Sequence, residues 1–417
     1  MSKIIVTNNG PLRGEVYISG AKNSALPIIA AALLCDEPCI IENVPNVSDI
    51  NNLILAITNL GAKVKFENNR LEILESNLNY EKEVDYDCLK TIRASYYLVG
   101  AMLSKYKKAT IALPGGCQIG LRPIDIHIKG FKALGAETSL DEGNITVSSK
   151  CLKGVPIFLD FPSVGATINI MLASIFAEGT TIIRNCAKEP HIVDVANFLN
   201  SMGAKVFGAG TGTIKIDGVK KLHSTTYRII PDQIEAGTFM VAGAMTKGNI
   251  ILKGVIGSHL DGIACKLRDM GAIVSINDDT IRVYNEKRLL ATNIKTGPYP
   301  MFPTDMQPQI AVACGIAEGT SLVNETIFEN RFMYTNQVNR LGGNMYVMGN
   351  LNVIEGVEHY KGAKVYAPDL RAGAALVLAG LVAKGKTTVE NADYIFRGYE
   401  DFDIKLRNLG ANIKVIQ

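Results

Sequence analysis

Several kinds of functional site are absent from this sequence. None of its eight cysteines forms a CxxC pair, and its five histidines do not cluster with them, so neither a disulfide framework nor a zinc site is expected. No run of about 18 apolar residues occurs that could span a membrane. The first ten residues lack the long apolar core of a signal peptide. Together these features favour a reducing cytoplasm as the location of the protein.

The charge balance and the missing nucleotide motifs exclude further classes. A net charge of +3 gives no support for nucleic acid or a bare membrane surface as partner. No Walker sequence is present and no GxGxxG follows a predicted strand, so any nucleotide would need another type of site. What the chain does have is 417 residues, 47% of them apolar, and 39 glycines. These values predict a globular α/β-type protein of two or more domains.

One tripeptide pattern, an apolar residue followed by glycine and a small residue, recurs along the chain. Its glycines lie 68 to 74 residues apart, which is too long for a solenoid repeat. Each copy follows a helical run and precedes a short alternating strand, so the glycine is expected to end a helix. The copies are Leu60-Gly61-Ala62, Leu134-Gly135-Ala136, Met202-Gly203-Ala204, Met270-Gly271-Ala272, Leu341-Gly342-Gly343 and Leu409-Gly410-Ala411.

Each repeat unit is predicted to contain a small-residue apolar helix, a β-branched strand, a loop, a second helix and further strands. In the third unit these are a helix at 166–177, a strand at 180–184 and a loop at 185–191. In the sixth unit the corresponding predictions are a helix at 373–383, a strand at 387–390 and a loop at 391–398. Six such units suggest two domains of three units each.

Unusual polar residues collect at the start of the first helix and in the loop before the second helix of these units. Helix N-termini carry free N–H groups and the positive end of the helix dipole, which favour anions. Arginine at these places favours bidentate hydrogen bonding to a carboxylate or phosphate. The helix starts carry Lys22, Asn23, Arg93, Ser163, Val164, Gly165, Asp232, Glu235, Thr304, Asp305, Asp369, Leu370 and Arg371, and the loops carry Cys117, Arg122, Glu189, Pro190, His191, Arg331 and Arg397. Their recurrence predicts a site for a multiply anionic ligand.

Simpler interpretations remain open for each of these residues. A single cation is more often a solvated surface charge or half of a local salt bridge, and only the recurrence favours a ligand site. The stretch 163–167 could cradle a phosphate, but a helix cap explains its serine nearly as well. His127 is evenly balanced between a ligand contact and a half-buried structural residue. Asp305, considered alone, would be a helix cap more often than a base.

The stretch 113–127 carries the strongest chemical signal. A strand-like run ends at Pro114, two glycines follow, and then Cys117, which predicts a loop with a thiol near its tip. Arg122 comes soon after, and Pro123 can open a helix at its first turn. A thiol near a fixed guanidinium is more acidic than a free one. By itself, the stretch is equally compatible with a surface loop that carries an incidental cysteine.

At these motifs the sequence resembles the UDP-N-acetylglucosamine 1-carboxyvinyltransferases, a family of enolpyruvyl transferases of the MurA type that is related to EPSP synthase. The similarity includes the Leu-Pro-Gly-Gly-Cys run that ends at Cys117, the pair Arg122-Pro123, Asp125 and His127. It extends along the chain in the family's order. The other matching stretches are SGAKN at 19–23, KTIRAS at 90–95, DFPSVGAT at 160–167, FPTDMQ at 302–307, TIFENRF at 326–332, DLRA at 369–372 and RGYE at 397–400.

The resemblance implies an inside-out α/β barrel fold with two similar domains, each of three βα-rich repeat units. Domain one would span residues 22–229 and carry the Cys117 loop. Domain two would combine residues 1–21 with 230–417. The active site would then lie in the cleft between the two domains.

The implied reaction transfers the enolpyruvyl group of phosphoenolpyruvate to the 3-hydroxyl of UDP-N-acetylglucosamine and releases phosphate. It is the first committed step of peptidoglycan synthesis, and hence of cell-wall biogenesis, and runs by addition to a tetrahedral ketal followed by elimination. No metal or redox cofactor is implied, although Cys117 can carry a covalent adduct derived from phosphoenolpyruvate. The implied partners are these two small molecules, without nucleic acid or membrane.

The resemblance also implies roles for individual residues. Cys117 would protonate the methylene carbon as general acid, Asp305 would accept the proton of the sugar hydroxyl, and Asp369 would assist proton transfer. Lys22 and Arg397 would complete the catalytic set. Phosphoenolpyruvate would be held by Lys22, Asn23, Arg122, Arg331, Arg371 and Arg397. UDP-N-acetylglucosamine would be held by Asn23, Arg93, Arg122, Pro123, Ile124, Asp125, Ile126, Ser163, Val164, Gly165, Asp305 and Ile327.

The chain departs from the family pattern at several positions, and two other functions stay open. Phe396 stands where an acid is common beside the implied catalytic arginine, His191 replaces a glutamate, and Tyr394 and Arg184 also differ. One alternative is a 3-phosphoshikimate 1-carboxyvinyltransferase, which the cysteine loop and the stretch 122–126 disfavour. The other is a non-catalytic paralogue that binds UDP-N-acetylglucosamine, which only the substitutions support.

Overall fold

The computed structural model describes residues 2–79, 95–112, 124–141 and 144–416. The chain divides into two compact units. Residues 2–19 and 231–416 form what we call the terminal unit, and the described residues between 20 and 230 form the central unit. The expected division, 1–21 plus 230–417 and 22–229, differs from this one by one or two residues at each crossing. The expected cleft between the domains stays a prediction.

The helices of the two units recur in first and second positions, as the sequence repeat predicts. In the central unit they are α1 (Lys22–Ala32), α2 (Ser48–Asn59), α3 (Ser95–Tyr106), α4 (Asp125–Ala133), α5 (Val164–Ser174) and α6 (Pro190–Ser201). In the terminal unit they are α7 (Gln233–Met245), α8 (Asp261–Asp269), α9 (Gln307–Cys314), α10 (Thr335–Arg340), α11 (Leu370–Val382) and α12 (Phe402–Asn408). Short 3₁₀ helices occupy Gly257–His259, Thr304–Met306 and Ala392–Arg397.

The strands are short and most alternate between buried and more exposed positions. Those of the central unit are β3 (Cys39–Glu42), β4 (Lys63–Glu67), β5 (Arg70–Glu75), β6 (Lys108–Ala112), β7 (Glu137–Asp141), β8 (Asn144–Ser148), β9 (Pro156–Phe158), β10 (Thr180–Arg184), β11 (Lys205–Phe207), β12 (Thr213–Asp217) and β13 (Thr226–Arg228). Those of the terminal unit are β1 (Lys3–Thr7), β2 (Arg13–Tyr17), β14 (Asn249–Lys253), β15 (Ile273–Asn277), β16 (Thr280–Tyr284), β17 (Ile294–Lys295), β18 (Thr320–Asn324), β19 (Asn344–Met348), β20 (Leu351–Glu355), β21 (Lys364–Tyr366), β22 (Lys386–Glu390) and β23 (Asn412–Ile416).

The described residues form six small sheets, three in each unit, and five of them share one four-stranded topology. In the terminal unit their orders are β2-β14-β16-β15, β17-β18-β20-β19 and β21-β22-β1-β23. In the central unit they are β13-β3-β5-β4, β9-β10-β12-β11 and β6-β8-β7. Each four-stranded sheet has one parallel pair at an edge, such as β2 with β14, followed by antiparallel pairs. The sheets are therefore structural counterparts of the sequence repeat, and the protein has a mixed α/β fold.

The glycine of each repeated tripeptide ends a helix. All six have positive φ, between 81° and 113°, a region that residues with a Cβ rarely adopt. At Gly203, for example, the Ala204 N–H donates to Leu199 O at 3.1 Å and the Gly203 N–H to Asn200 O at 3.0 Å. This is the Schellman pattern, which satisfies the last carbonyls of the helix. The predicted helix stops are thus confirmed.

The first helices of the repeats are buried on nearly all sides. Every residue of α9 is buried, as are all of α7 except Gln233 and all of α1 except Asn23. In the terminal unit, α7, α9 and α11 contact one another. Since the strands bury mainly one face, each unit has its apolar helices inside and its sheets outside.

Several predicted boundaries were wrong. The helix predicted at 373–383 spans Leu370–Val382, and the last two residues of the loop predicted at 185–191 begin α6. The first helix of the third unit spans Val164–Ser174 rather than 166–177, because Ser163 caps its start and 3₁₀-type bonds, such as Ala177 N to Ser174 O, tighten the chain after its end. The predicted loop at 391–398 contains the 3₁₀ helix Ala392–Arg397, which follows Asn391 at a φ of 57°. Within the described part of the chain, no helix is long and apolar enough to cross a membrane.

Candidate active site

The predicted site residues fall into three groups. Arg93, Cys117, Arg122 and Pro123 lie outside the described residues. The central unit holds Lys22, Asn23, Ile124, Asp125, Ile126, Ser163, Val164 and Gly165. The terminal unit holds Asp305, Ile327, Arg331, Asp369, Arg371 and Arg397.

In the terminal unit, Asp305 lies between two arginines, Arg331 from the second loop of its own repeat and Arg371 from the first helix of the next repeat. Its Oδ1 accepts a hydrogen bond from Arg331 Nη2 at 3.2 Å. Its Oδ2 accepts from Arg371 Nη2 at 3.0 Å and from Arg371 Nε at 3.3 Å. The structure therefore brings together three residues that are far apart in the sequence, and it fixes both oxygens of the carboxylate.

This cluster contains two arginines and one aspartate, so its net charge is positive, and both arginines are buried. The Arg331 and Arg371 side chains are 2% and 3% exposed, whereas that of Asp305 is 30% exposed. Arg331 Nε and Arg371 Nη1 are buried and have no hydrogen-bond partner among the described residues. Because a buried donor without a partner is costly, an anionic ligand that supplied acceptors here would be favoured.

Asp369 caps the helix that carries Arg371. Its Oδ1 accepts from the Arg371 N–H at 2.8 Å and from the Ala372 N–H at 3.0 Å, at the start of α11. Its Oδ2 is buried and lacks a hydrogen-bond partner in the described part of the chain. Asp369 therefore stabilises the start of α11 through Oδ1. The proton-transfer role predicted for it would have to use Oδ2.

The loop that carries Ile327 is tied to the segment that carries Asp305. Glu325, which is 2% exposed, accepts hydrogen bonds from the Ile327 N–H at 2.9 Å and the Phe328 N–H at 3.2 Å through Oε1. Its Oε2 accepts from the Thr304 hydroxyl at 3.0 Å. One buried carboxylate thus fixes the loop before α10 against the 3₁₀ helix Thr304–Met306.

A buried tyrosine also contacts Arg371. The Arg371 Cζ lies 5.2 Å from the centre of the Tyr399 ring, within the range of a cation–π contact. Burial acts to lower the pKa of the Arg371 guanidinium, but Asp305, then Tyr399 and Asp232, outweigh it and raise the pKa overall. Arg371 is therefore a permanent cation in this cluster.

Arg397 ends the 3₁₀ helix Ala392–Arg397 and is half-buried. The substituted residues Tyr394 and Phe396 lie in the same helix, with Tyr394 at the surface and Phe396 packed against the core of the terminal unit. The other two substituted positions are in the central unit, where Arg184 is exposed and His191 is buried in the first turn of α6.

In the central unit, Lys22 forms a buried ion pair. Its Nζ lies 3.0 Å from Asp49 Oδ2, and both side chains are less than a tenth exposed. Lys22 begins α1, and the N-cap residue Ala21 makes no side-chain cap. Asn23 is the one half-buried residue of this otherwise buried helix. The charge of Lys22 is therefore balanced within its own unit by a carboxylate from the first turn of α2.

The starts of α4 and α5 lie side by side. The Ser163 hydroxyl accepts from the Ala166 N–H at 3.3 Å and caps α5. A Cβ added at Gly165 would lie 2.9 Å from Nε2 of His127 on α4, so this glycine permits the close approach. The His127 ring is half-buried and lies 5.8 Å from that of Tyr96 on α3. The structure thereby brings 163–165 close to the helix that begins at Asp125.

Sequence reasoning did not single out Asp49, Glu325 or Tyr399. Asp49 and Glu325 follow a strand and precede or begin a second helix, so their place in the repeat was the available signal. Tyr399 lies in the matched stretch 397–400, but nothing in its neighbours along the chain indicates that its ring meets Arg371. Among the described residues, no group of His, Cys, Asp and Glu is arranged to hold a metal ion.

Comparisons with known proteins agree over the whole chain. Residues 6–406 match a family model described as EPSP synthase (3-phosphoshikimate 1-carboxyvinyltransferase). A UDP-N-acetylglucosamine 1-carboxyvinyltransferase 3 from Caldanaerobacter subterraneus subsp. tengcongensis is 53% identical over 99% of both chains. A UDP-N-acetylglucosamine 1-carboxyvinyltransferase from Halothermothrix orenii is 49% identical over the full length of both.

Solved structures show the same fold. The enolpyruvyl transferase NikO from Streptomyces tendae superposes with a TM-score of 0.90 at 26% identity, covering 100% of this chain and 99% of that one. An EPSP synthase from Acinetobacter baumannii, 18% identical, superposes with a TM-score of 0.79 over the full length of both chains.

Proposed function

Because this chain belongs to the family of UDP-N-acetylglucosamine 1-carboxyvinyltransferases, within the wider EPSP synthase family, we propose that it transfers the enolpyruvyl group of phosphoenolpyruvate to the 3-hydroxyl of UDP-N-acetylglucosamine and releases phosphate. The product would enter peptidoglycan synthesis. Full-length identity of about half to relatives of that name supports this acceptor over shikimate 3-phosphate.

The observation that carries the proposal is the position of Asp305 between Arg331 and Arg371. A base that accepts a hydroxyl proton must be fixed in direction and reachable by the substrate. Both oxygens of Asp305 are bonded to guanidinium groups, and its side chain is the partly exposed member of the cluster. Asp305 is thus suited to accept the proton of the sugar hydroxyl while the arginines hold an anion beside it.

Phosphoenolpyruvate would be bound by cations from both units. It carries a phosphate and a carboxylate, and guanidinium groups recognise both through paired hydrogen bonds. In the terminal unit the candidates are Arg331, Arg371 and Arg397, and in the central unit Lys22 with Asn23 beside it. Arg122 would join them from outside the described residues. The unpaired Arg331 Nε and Arg371 Nη1 supply donors that such a ligand would satisfy.

The nucleotide sugar would lie against the paired helix starts of the central unit. Ser163, Val164 and Gly165 begin α5, next to the α4 start with Ile124, Asp125 and Ile126. Backbone N–H groups at such starts favour phosphate oxygens. Arg93, Arg122 and Pro123, outside the described residues, would complete this site, with Asn23, Asp305 and Ile327 contacting the sugar.

The chemistry would proceed by addition and elimination without a metal or redox cofactor. Cys117 would protonate the methylene carbon of phosphoenolpyruvate while the sugar oxygen bonds to C2, which gives a tetrahedral ketal. Asp369, through its free Oδ2, would assist removal of the methyl proton as phosphate leaves. A side reaction of the Cys117 thiol at C2 would give a covalent adduct.

The finer architecture belongs to the same proposal. Buried first helices inside one-sided sheets support an inside-out α/β barrel in each unit. The free thiols among the described cysteines support a reducing, cytoplasmic location.

A three-arm assay tests the proposed function. Phosphoenolpyruvate is incubated with the protein and UDP-N-acetylglucosamine, shikimate 3-phosphate or no acceptor, and both phosphate and product mass are measured. The expected result is phosphate release and an added enolpyruvyl mass with the nucleotide sugar alone. Release with shikimate 3-phosphate alone would favour the other transferase. Tight binding of the nucleotide sugar without release would favour a non-catalytic binder.

A further inference from the structure

Tyr399 lies at the centre of a polar network inside an apolar region. It is 1% exposed, and its ring lies 4.9 Å from that of Phe402. Its hydroxyl is 2.9 Å from the Thr238 hydroxyl and accepts a hydrogen bond from Gln309 Nε2 at 3.0 Å. Gln309 Nε2 also donates to Thr238 Oγ1 at 3.2 Å. Two of the buried first helices, α7 and α9, therefore hold this one hydroxyl.

The same tyrosine meets the third first helix, α11, through Arg371. The guanidinium is held at one edge by Asp305 and lies over the Tyr399 ring. Arg371 Nη1 remains without a hydrogen-bond partner among the described residues. A guanidinium that is fixed on one edge and one face can present its remaining N–H groups in only one direction.

We propose that Tyr399 is a positioning residue for the transfer reaction: its ring holds Arg371 so that the guanidinium both orients the Asp305 carboxylate and offers Nη1 to the anionic donor substrate. The inference rests on the proposed function and adds a residue that touches neither substrate. The hydrogen bonds with Thr238 and Gln309 satisfy the buried hydroxyl, while the ring face supplies the contact with Arg371. The ring itself is held by the surrounding core of the terminal unit, which includes Phe402.

The test compares three substitutions in the full-length protein. Tyr399→Phe keeps the ring, Tyr399→Met fills much of its volume without an aromatic face, and Tyr360→Met is the matched control. Tyr360 is likewise fully buried in the terminal unit and donates one hydrogen bond, to Val312 O at 2.9 Å. Steady-state phosphate release is measured across pH for each variant, together with KM for both substrates and the folded fraction.

For Tyr399→Met we expect a fall in kcat/KM for phosphoenolpyruvate of about 30- to 100-fold, with KM for the nucleotide sugar changed less than about threefold. A carboxylate that loses a fixed cation binds its proton more tightly, so the acid limb of the kcat profile should move to higher pH. Tyr399→Phe should stay within about fivefold of wild type with an unmoved limb, and so should Tyr360→Met.

Three outcomes would overturn the inference. One is a similar loss in Tyr399→Met and Tyr360→Met with no shift of the acid limb, which would mean that the ring only fills space. Another is a folded Tyr399→Phe that loses more than about tenfold, which would place the effect in the hydroxyl network. If the Met variant does not fold, Tyr399→Leu, which also lacks an aromatic face, takes its place in the comparison. A wild-type protein that releases no phosphate with either acceptor removes the proposed function, and the positioning role with it.

Discussion

The first helices of the two units begin with chemically different residues. In the terminal unit, Asp232 caps α7 and Asp369 caps α11, each accepting two backbone N–H groups through its carboxylate. In the central unit, α1 begins at Ala21 without a side-chain cap, and α5 is capped by the neutral Ser163. The repeat therefore fixes where the helices start, but not what charge occupies their ends.

This difference divides the task of binding anions between the units. An acidic cap already neutralises the positive end of the helix dipole, so the starts of α7 and α11 are poor sites for a substrate phosphate. In the proposed function the terminal unit would instead use the buried side chains of Arg331 and Arg371. In the central unit the backbone N–H groups at the start of α5 are near no acid of their own cap. We infer that the nucleotide diphosphate is bound chiefly by helix starts and the donor substrate chiefly by arginines.

The ion pairs differ in the same way. Lys22 and Asp49 form a closed pair, with both side chains buried. Asp305 is shared between two arginines and is the partly exposed member. Loss of either partner from a fully buried pair is costly to the fold, whereas an acid at the edge of a cationic pocket can be reached by a substrate.

The largest expected effect comes from Asp305→Asn. The change keeps the shape of the side chain but removes its ability to accept a proton, so phosphate release with both substrates should fall by about 10²- to 10⁴-fold. Asp261→Asn, an exposed acid in the same unit, is the control and should leave the rate unchanged. Retention of activity within about tenfold in Asp305→Asn would mean that another group takes the hydroxyl proton.

The second prediction concerns stability and sharpens the contrast between the two acids. Asp49→Asn leaves Lys22 charged and buried without its partner, which should lower the free energy of unfolding by about 3–5 kcal/mol. Asp305→Asn also removes the carboxylate beside two buried cations, Arg331 and Arg371, but the Asp305 side chain is 30% exposed and water can replace the lost oxygen, so its cost should be smaller. Urea unfolding of both variants measures the difference. A larger cost for Asp305→Asn would show that the arginine cluster is mainly structural.

Much of this arrangement could be predicted from sequence, and what could not has a physical reason. The period of the Leu-Gly-Ala pattern located the helix ends because a positive φ after a helix needs glycine at one definite position. It also placed Asp305 and Arg371 at the first-helix starts of successive units, and Arg331 in the second loop of the same unit as Asp305. It could not show that they share hydrogen bonds, since that depends on how a 3₁₀ helix, a loop and α11 pack against one another. Asp369 as a cap and Tyr399 beneath Arg371 became visible only in the fold.

The third prediction uses a buried acid at the start of α7. Burial raises the pKa of the Glu235 carboxyl to about 7, despite the opposing effect of the Lys405 ammonium to which it is hydrogen-bonded. The ordinary value is 4.5. Because the folded pKa is raised, the stability contributed by this group is complete below about pH 4.5 and is lost as the pH rises through about 7.

Glu235→Gln replaces the titrating carboxyl with a neutral amide. Comparison of the variant with the wild type therefore isolates the pH dependence that is due to Glu235. Near pH 5 the variant and the wild type should unfold at the same urea concentration, and near pH 8 the variant should be more stable, by up to about 3 kcal/mol. Glu15→Gln, at a surface pair with Lys253, serves as the reference for loss of a carboxylate. A difference between Glu235→Gln and wild type that does not change with pH would mean that Glu235 stays ionised throughout this range.

The smallest expected effect is at Ser163, where substitutions test the comparison between the helix starts of the two units. Ser163→Ala removes the hydroxyl that accepts the Ala166 N–H, which should cost about 1 kcal/mol. Ser163→Asp restores a cap and gives α5 the acidic start that α7 and α11 have. Its stability should therefore match wild type, but KM for the nucleotide sugar should rise several-fold, because a carboxylate would stand where a phosphate binds. If Ser163→Asp leaves that KM unchanged, the start of α5 does not face the diphosphate, and the division of anion binding between the units fails.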